Sequence, residues 1–148
     1  MEAELQPGFD PACRYCTATL EELAPVMSHV VDLAHSRVFL YGDQTHRGRC
    51  VVLYKRHVRE LFELADGELA GFMREVARVA DAVSQTVPCD KVNYAAYGDK
   101  ADHLHVHVVP KSNGGPAWGQ PFVLNAESPV KLTAEETRTM LSALRQQL

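Results

Sequence analysis

The chain lacks the features that mark several whole classes of protein. No apolar run in its 148 residues approaches the roughly 18–20 needed to cross a bilayer, so no membrane span is expected. The opening stretch, MEAELQPGFD, is acidic and has no apolar h-region, which argues against a secretory leader and for a cytoplasmic protein. Excess basic charge is missing as well. With 15 Lys and Arg against 19 Asp and Glu, the formal net charge of −4 leaves no electrostatic footprint for nucleic acid or an anionic membrane. Four cysteines without an export signal do not make a disulfide scaffold; the close pair, Cys13 and Cys16, reads better as metal ligands or a redox pair. Internal repeats, low-complexity tracts and linkers are also lacking. One domain over residues 1–148 is expected, large enough to bury a core without staples.

Histidine, by contrast, is concentrated. Three of the seven fall in Asp102-His103-Leu104-His105-Val106-His107-Val108-Val109-Pro110. Their strict alternation with Leu104, Val106 and Val108 predicts a half-buried strand, because successive side chains point to opposite faces. One face packs into a core, the other carries a row of imidazoles, and Pro110 is expected to end the ladder. Neighbouring histidines in such a row lie about 6.5–7 Å apart and the outer pair about 13 Å apart, so one phosphate can touch His105 and one neighbour but hardly all three. The outer histidines need tasks different from the central one.

Around this strand the remaining segments fall into place. Residues 1–12 carry Pro7, Gly8 and Pro11 and are expected as a loose arm. Cys13-Arg14-Tyr15-Cys16 follows. A thioredoxin-like redox pair would need a preceding strand, which residues 1–12 do not supply, so zinc shared with distant histidines is the stronger alternative. Thr17 to Pro25 suits a short helix or turn. Val30–Leu33, Arg37–Tyr41 and Arg49–Tyr54 read as three strands of an antiparallel meander, with Cys50 a small core residue. From Asp66, a good N-cap, the stripe Leu69, Phe72, Met73, Val76, Val79, Ala80 and Val83 predicts an amphipathic helix ending before Pro88. Lys91–Tyr97 alternates again and should pair with the histidine strand. Thr133 and Glu136 form a capping box that opens a C-terminal helix over 133–148, with Met140, Leu141 and Leu144 on one side.

The run His103-Leu104-His105-Val106-His107-Val108-Val109 resembles the signature of the histidine triad (HIT) superfamily, His-φ-His-φ-His-φ-φ with φ apolar. Other landmarks come in that family's order: the CxxC near the start, Arg47-Gly48 before a hydrophobic strand, Lys55-Arg56-His57-Val58, and Asn93-Tyr94 about ten residues before the triad. Lys111, Trp118-Gly119 and Phe122 are similar to a bacterial branch of diadenosine tetraphosphate hydrolase-like HIT hydrolases. The resemblance covers most of the chain from Cys13 to Phe122. It implies an α+β fold with an antiparallel sheet of about five strands, one long helix and a homodimer that joins two sheets into one.

The resemblance also implies chemistry: attack by His105 on the α-phosphorus of a nucleoside phosphoramidate or (di)nucleoside polyphosphate, through a covalent nucleotidyl-histidine. An imidazole with its ordinary pKa of about 6.5 is largely neutral and nucleophilic at pH 7. In the family the His103 carbonyl would hold Nδ1 and aim Nε2 at phosphorus, and His107, the second catalytic histidine, would bind the phosphate or bridging atom and help the leaving group go. Asn93, Lys100 and Trp118 join His107 as candidate nucleotide or phosphate contacts. Asp43 is the candidate for the ribose, since counting back from His57 lands on Tyr41, two residues short of it. Cys13, Cys16, His57 and His103 would form a closed, structural Cys₂His₂ site for one Zn²⁺ per chain, as in several HIT proteins and the related galactose-1-phosphate uridylyltransferases. A metal-free network of His57 and His103 competes with it.

The sequence departs from the family where a Ser, Thr, Gln or Asn commonly holds the phosphate; here stand Asp99-Lys100-Ala101-Asp102. A cupin-like catalytic metal on the histidine face would need a Glu about four residues after the second His, and Val109 and Pro110 stand there instead. A nucleotide-binding or sensor module without turnover is the non-enzymatic alternative.

Overall fold

A computed structural model describes residues 7–148 of the chain. In chain order the elements are α1 (Arg14–Thr17), α2 (Leu20–Leu23), β1 (Met27–Asp32), β2 (Ser36–Tyr41), β3 (Cys50–Tyr54), α3 (Asp66–Thr86), β4 (Lys91–Ala95), β5 (His105–Lys111) and α4 (Ala134–Gln147). The strands form one five-stranded antiparallel sheet in the order β1-β2-β3-β5-β4. No helix among the described residues is long and apolar enough to cross a membrane.

Period-two alternation gives the sheet two different faces. Val38, Leu40, Cys50, Val52, Tyr54, Val106 and Val108 point to one side and pack beneath Phe72, Val76, Val79 and Val83 of α3 and Met140 and Leu144 of α4. Cys50 is fully buried there, and burial pushes its thiol up to about 12, so it is an inert core residue. Phe39, Val51 and Leu53 point to the other side and pack with Leu23 and Met27. The register sets Val51 opposite His107 and Leu53 opposite His105, so the imidazoles share this second face.

Several sequence expectations shift in detail. The first strand starts at Met27, ahead of the apolar run that suggested it. Ala65, and not Asp66, is the N-cap of α3; Asp66 is the first helical residue and complements the helix dipole from there. Met73 is half-exposed and Glu75 is buried in the stripe's place, accepting hydrogen bonds from the His35 backbone N–H at 2.8 Å and Ser36 Oγ at 2.6 Å. Gly71 makes room for this arrangement, since a Cβ there would lie 2.4 Å from His35 Cε1.

Pro110 does not end the ladder: β5 runs on to Lys111, with Pro110 opposite Val92. The Lys111 carbonyl accepts from Asp90 N–H on the β4 side, so the imide nitrogen of Pro110 faces the other way. There β3 has already stopped, at the Cys50–Val108 pair, and no ladder bond is lost. Gly48 fills that corner at φ 90°, where a Cβ would sit 3.2 Å from Pro110 Cγ.

Residues 1–6 of the expected arm lie outside the described residues. From Pro7 onward the arm is held, with Gly8 O accepting from His57 N–H at 2.7 Å and Asp10 O accepting from Cys13 N–H at 3.1 Å.

Candidate active site and metal centre

The face that should have been half-solvated is covered. His103, His105 and His107 are 1%, 8% and 7% exposed. α1 and α2 cross one end of it, and the loop after β5 returns over the other, burying Phe122 6.1 Å from the His107 ring. The remaining opening is a cavity floored by His105 and His107 and lined by Tyr15, Tyr41, Tyr97, Lys100, Leu124 and Asn125. Its walls are aromatic: Tyr15 lies 5.7 Å from His105 and Tyr41 5.9 Å from His107, centroid to centroid.

Carbonyls and guanidinium groups have only one hydrogen-bonding role, so they fix the tautomers. His105 Nδ1 lies 2.7 Å from His103 O, hence Nδ1 donates and Nε2 keeps its lone pair. His103 Nε2 lies 2.6 Å from Tyr54 O, so Nε2 donates there and Nδ1 is the lone-pair nitrogen. Arg49 Nη2 can only donate, so His107 Nδ1, at 3.2 Å, accepts and the proton of His107 sits on Nε2. Burial foremost, then the charges of Arg49 and His105, push the His107 pKa down from 6.5 to about 3. Its neutral form dominates at any ordinary pH.

At the closed end of the face, Cys13, Cys16, His57 and His103 place one ligand atom each within 4.8 Å of one another. His103 Nδ1 is 3.6 Å from Cys13 Sγ and 3.5 Å from Cys16 Sγ, and His57 Nδ1 is 3.5 Å from Cys16 Sγ. Tetrahedral Zn–S and Zn–N bonds of about 2.0–2.3 Å put ligand atoms roughly 3.3–3.8 Å apart, so the cluster could hold a metal with little movement. The outward nitrogen of His103 is supported by the Tyr54 carbonyl, as a metal-bound imidazole requires, while His57 Nε2 faces the carboxylates of Asp10 at 3.7 Å and Asp102 at 4.0 Å, beyond hydrogen-bond reach. Burial lowers the His103 pKa and favours the neutral form that ligates.

The other expected contacts divide. Lys100 lines the triad cavity, from the β4–β5 connection. Asn93 and Trp118 do not; they line a separate recess with Lys91, Lys111 and Gln120 at the β4 edge. Asn93 shares the triad's face but sits opposite Val109, one same-face position beyond His107. Asp43 lines a neighbouring recess that shares Tyr41, Leu124 and Asn125 with the cavity. Its Oδ1 is engaged by Thr45 N–H at 3.0 Å, Thr45 Oγ at 2.7 Å and Val130 N–H at 3.2 Å. Burial opposes ionisation of Asp43, but these hydrogen bonds outweigh it and hold its pKa below the ordinary value. A carboxylate so occupied anchors the loop before β3.

Sequence reasoning missed Tyr15, Tyr41, Tyr97 and Arg49. For Tyr41 and Arg49 the signal was parity: residue 41 shares a face with Phe39, and residue 49 with Val51 and Leu53, which is the triad's face. Tyr15 sits in the short helix α1, whose path over the sheet no periodicity records, and Tyr97, on the parity of Asn93 in the run read as a strand to residue 97, lies just past the end of β4 at Ala95.

A single sheet that lays three alternating imidazoles beneath aromatic walls, the central one braced by the carbonyl of the first, is the architecture of a histidine triad protein. A family model for the HIT domain matches residues 19–114, and the chain belongs to that family. A histidine triad protein from Bradyrhizobium japonicum is 29% identical, superposes with a TM-score of 0.78, and is covered over 96% of its length by 88% of this chain. The adenosine 5'-monophosphoramidase of Schizosaccharomyces pombe is 26% identical over 84% of this chain and 95% of its own length. A zinc-bound histidine triad family protein from Mycobacterium smegmatis, 22% identical, shares the fold with a TM-score of 0.64 over 91% of this chain and 94% of its own.

Proposed function

We propose that this protein is a nucleotide hydrolase or nucleotidyl transferase that cleaves at the α-phosphate of a nucleoside phosphoramidate or (di)nucleoside polyphosphate through His105. One observation carries the reading: the 2.7 Å contact of His105 Nδ1 with His103 O leaves the Nε2 lone pair as the nucleophilic atom of a cavity-lining imidazole. The phosphoramidase activity named for the fission-yeast relative supports it.

In this mechanism the Nε2 lone pair forms a bond to phosphorus as the bond to the leaving nitrogen or oxygen breaks. The leaving group departs with a proton taken up from solvent, and the His103 carbonyl stabilises the positive charge gained by the nucleotidyl-imidazole. His107 Nε2–H donates to a phosphoryl oxygen, and Lys100 adds positive charge at the rim. Water or another acceptor then attacks phosphorus, releases its proton to solvent and frees His105. The base lies along the Tyr41, Leu124 and Asn125 wall. Asn93 and Trp118 would serve the distal part of a longer substrate.

Cys13, Cys16, His57 and His103 would hold one structural Zn²⁺, which supplies a fixed cross-link between α1 and the start of the triad strand. The zinc of the mycobacterial relative supports that assignment, as does the donor chemistry. Residues 1–148 act as one domain. A homodimer would join at β4, since α4 already engages β1 through Arg145, which donates to the Val30 and His29 carbonyls.

The test is intact-protein mass after acid-quenched mixing with adenosine 5'-phosphoramidate and, separately, diadenosine tetraphosphate. A nucleotidyl adduct on wild type and none on His105→Ala is the expected result. Binding without adduct or turnover would instead make the protein a non-catalytic nucleotide module.

A further inference from the structure

Arg49 is the most anomalous charged residue among those described. It is 1% exposed, yet no carboxylate pairs with it among the described residues. Its guanidinium lies between the Tyr41 ring at 4.1 Å and the Phe122 ring at 5.1 Å. Nη1 donates to the carbonyls of Val123 at 3.3 Å and Leu124 at 3.1 Å, Nη2 donates to His107 Nδ1, and Nε has no partner. Burying an unpaired cation is costly, and the aromatic and carbonyl contacts offset only part of it. Such a group persists where it has a task that a neutral side chain cannot perform.

We propose that Arg49 is the positioning residue of the triad: by occupying Nδ1 of His107 it fixes the Nε2–H tautomer and makes His107 a permanent hydrogen-bond donor to the phosphoryl group. The inference rests on the nucleotidyl-transfer reading for its consequence in catalysis, although the tautomer itself does not. Two donors cannot face each other, so His107 cannot gain a second proton on Nδ1 without breaking the Arg49 bond. His107 therefore stores no proton for the leaving group; it holds the phosphate in one orientation throughout. The same guanidinium ties the loop carrying Val123 and Leu124 to β5, so the cavity wall and the donor are set by one side chain. The cation's counter-charge arrives with the anionic substrate.

The other titratable and charged groups facing His107 are His105 on its own strand, Tyr41 from β2, and Tyr97, Asp99 and Lys100 from the β4–β5 connection.

The experiment is ¹⁵N NMR of histidine-labelled protein between pH 5 and 8, with His107 assigned by comparison with His107→Gln. The expected result for wild type is a single, non-titrating tautomer with Nε2 protonated and Nδ1 bare. In Arg49→Met, close in volume and able to lie between the same two rings, His107 should lose the single tautomer and show a mixture of the two neutral forms, since burial, the foremost cause of its low pKa, stays in place. Turnover of adenosine 5'-phosphoramidate by that variant should lose about ten- to a hundred-fold in kcat, as expected when a partner that orients an imidazole is removed, with KM changing less. A wild-type His107 protonated on Nδ1 overturns the proposal, whatever the variant does. So does an Arg49→Met protein whose His107 keeps the locked tautomer. A locked tautomer in a wild type that turns over no nucleotide would sink the catalytic reading alone.

Discussion

Replacing Cys16 with alanine tests the proposed metal cross-link most directly, because its sulfur lies 3.5 Å from Nδ1 of both His57 and His103. These partners are 41 and 87 residues away along the chain. Closing a loop of either length removes unfolded-state entropy equivalent to about 4–5 kcal/mol at 25 °C. The sheet and its helix-side core do not depend on the cluster, so the protein should still fold, less stably. At about 2–4 °C per kcal/mol for a domain of this size, Cys16→Ala should melt roughly 8–20 °C below metal-loaded wild type. Calorimetry with metal content measured by mass spectrometry on the same samples is the assay. Chelation should lower the wild-type melting temperature by a similar amount and leave Cys16→Ala unchanged. Activity per folded molecule should survive in the variant, because Cys16 does not line the triad cavity. A melting temperature within a degree or two of wild type, with one equivalent of zinc lost, would refute the cross-link reasoning.

His105→Ala should reduce turnover by at least about 10³-fold with nucleotide affinity largely kept, measured by steady-state kinetics and calorimetric binding. Phe72→Ala removes a fully buried ring that stacks edge-on to Tyr54 at 5.2 Å, and should cost about 3–5 kcal/mol in urea unfolding. Asp43 has a folded-state pKa below its unfolded one, so its contribution is present above the unfolded value near 4 and is lost as pH falls through the folded value. Asp43→Asn should therefore flatten the loss of stability between about pH 5 and pH 2; an acid limb identical to wild type would show that the Thr45 and Val130 contacts do not stabilise the ionised form.

The alternation from His103 to Val108, the stripe of α3 and the capping box at Thr133 were legible because each is written in a local period: two for a strand, about 3.6 for a helix, three residues from Thr133 to Glu136. From these followed the triad strand, the long helix, the start of the C-terminal helix and the shared face of the three histidines; the first three strands were legible from their β-branched and aromatic composition. The CxxC and His57 were legible as candidate ligands by residue type. The tautomers, the burial of the histidine face and the site's aromatic walls were not, because they depend on which loops cross the sheet.

The sequence by itself determined which side chains share a face, since covalent geometry makes residues two apart in a strand point the same way. It thereby set His105 and His107 side by side and left Val106 to the core. Only the tertiary structure decided what that face meets. Strand order put β3 beside β5, which brought Arg49 to His107. Folding the arm across the sheet carried Cys13 and Cys16 to His103, and the return of the loop after β5 placed Phe122 and Leu124 over the cavity. Contacts between residues tens of positions apart are fixed by the packing of whole elements, and no local period encodes them.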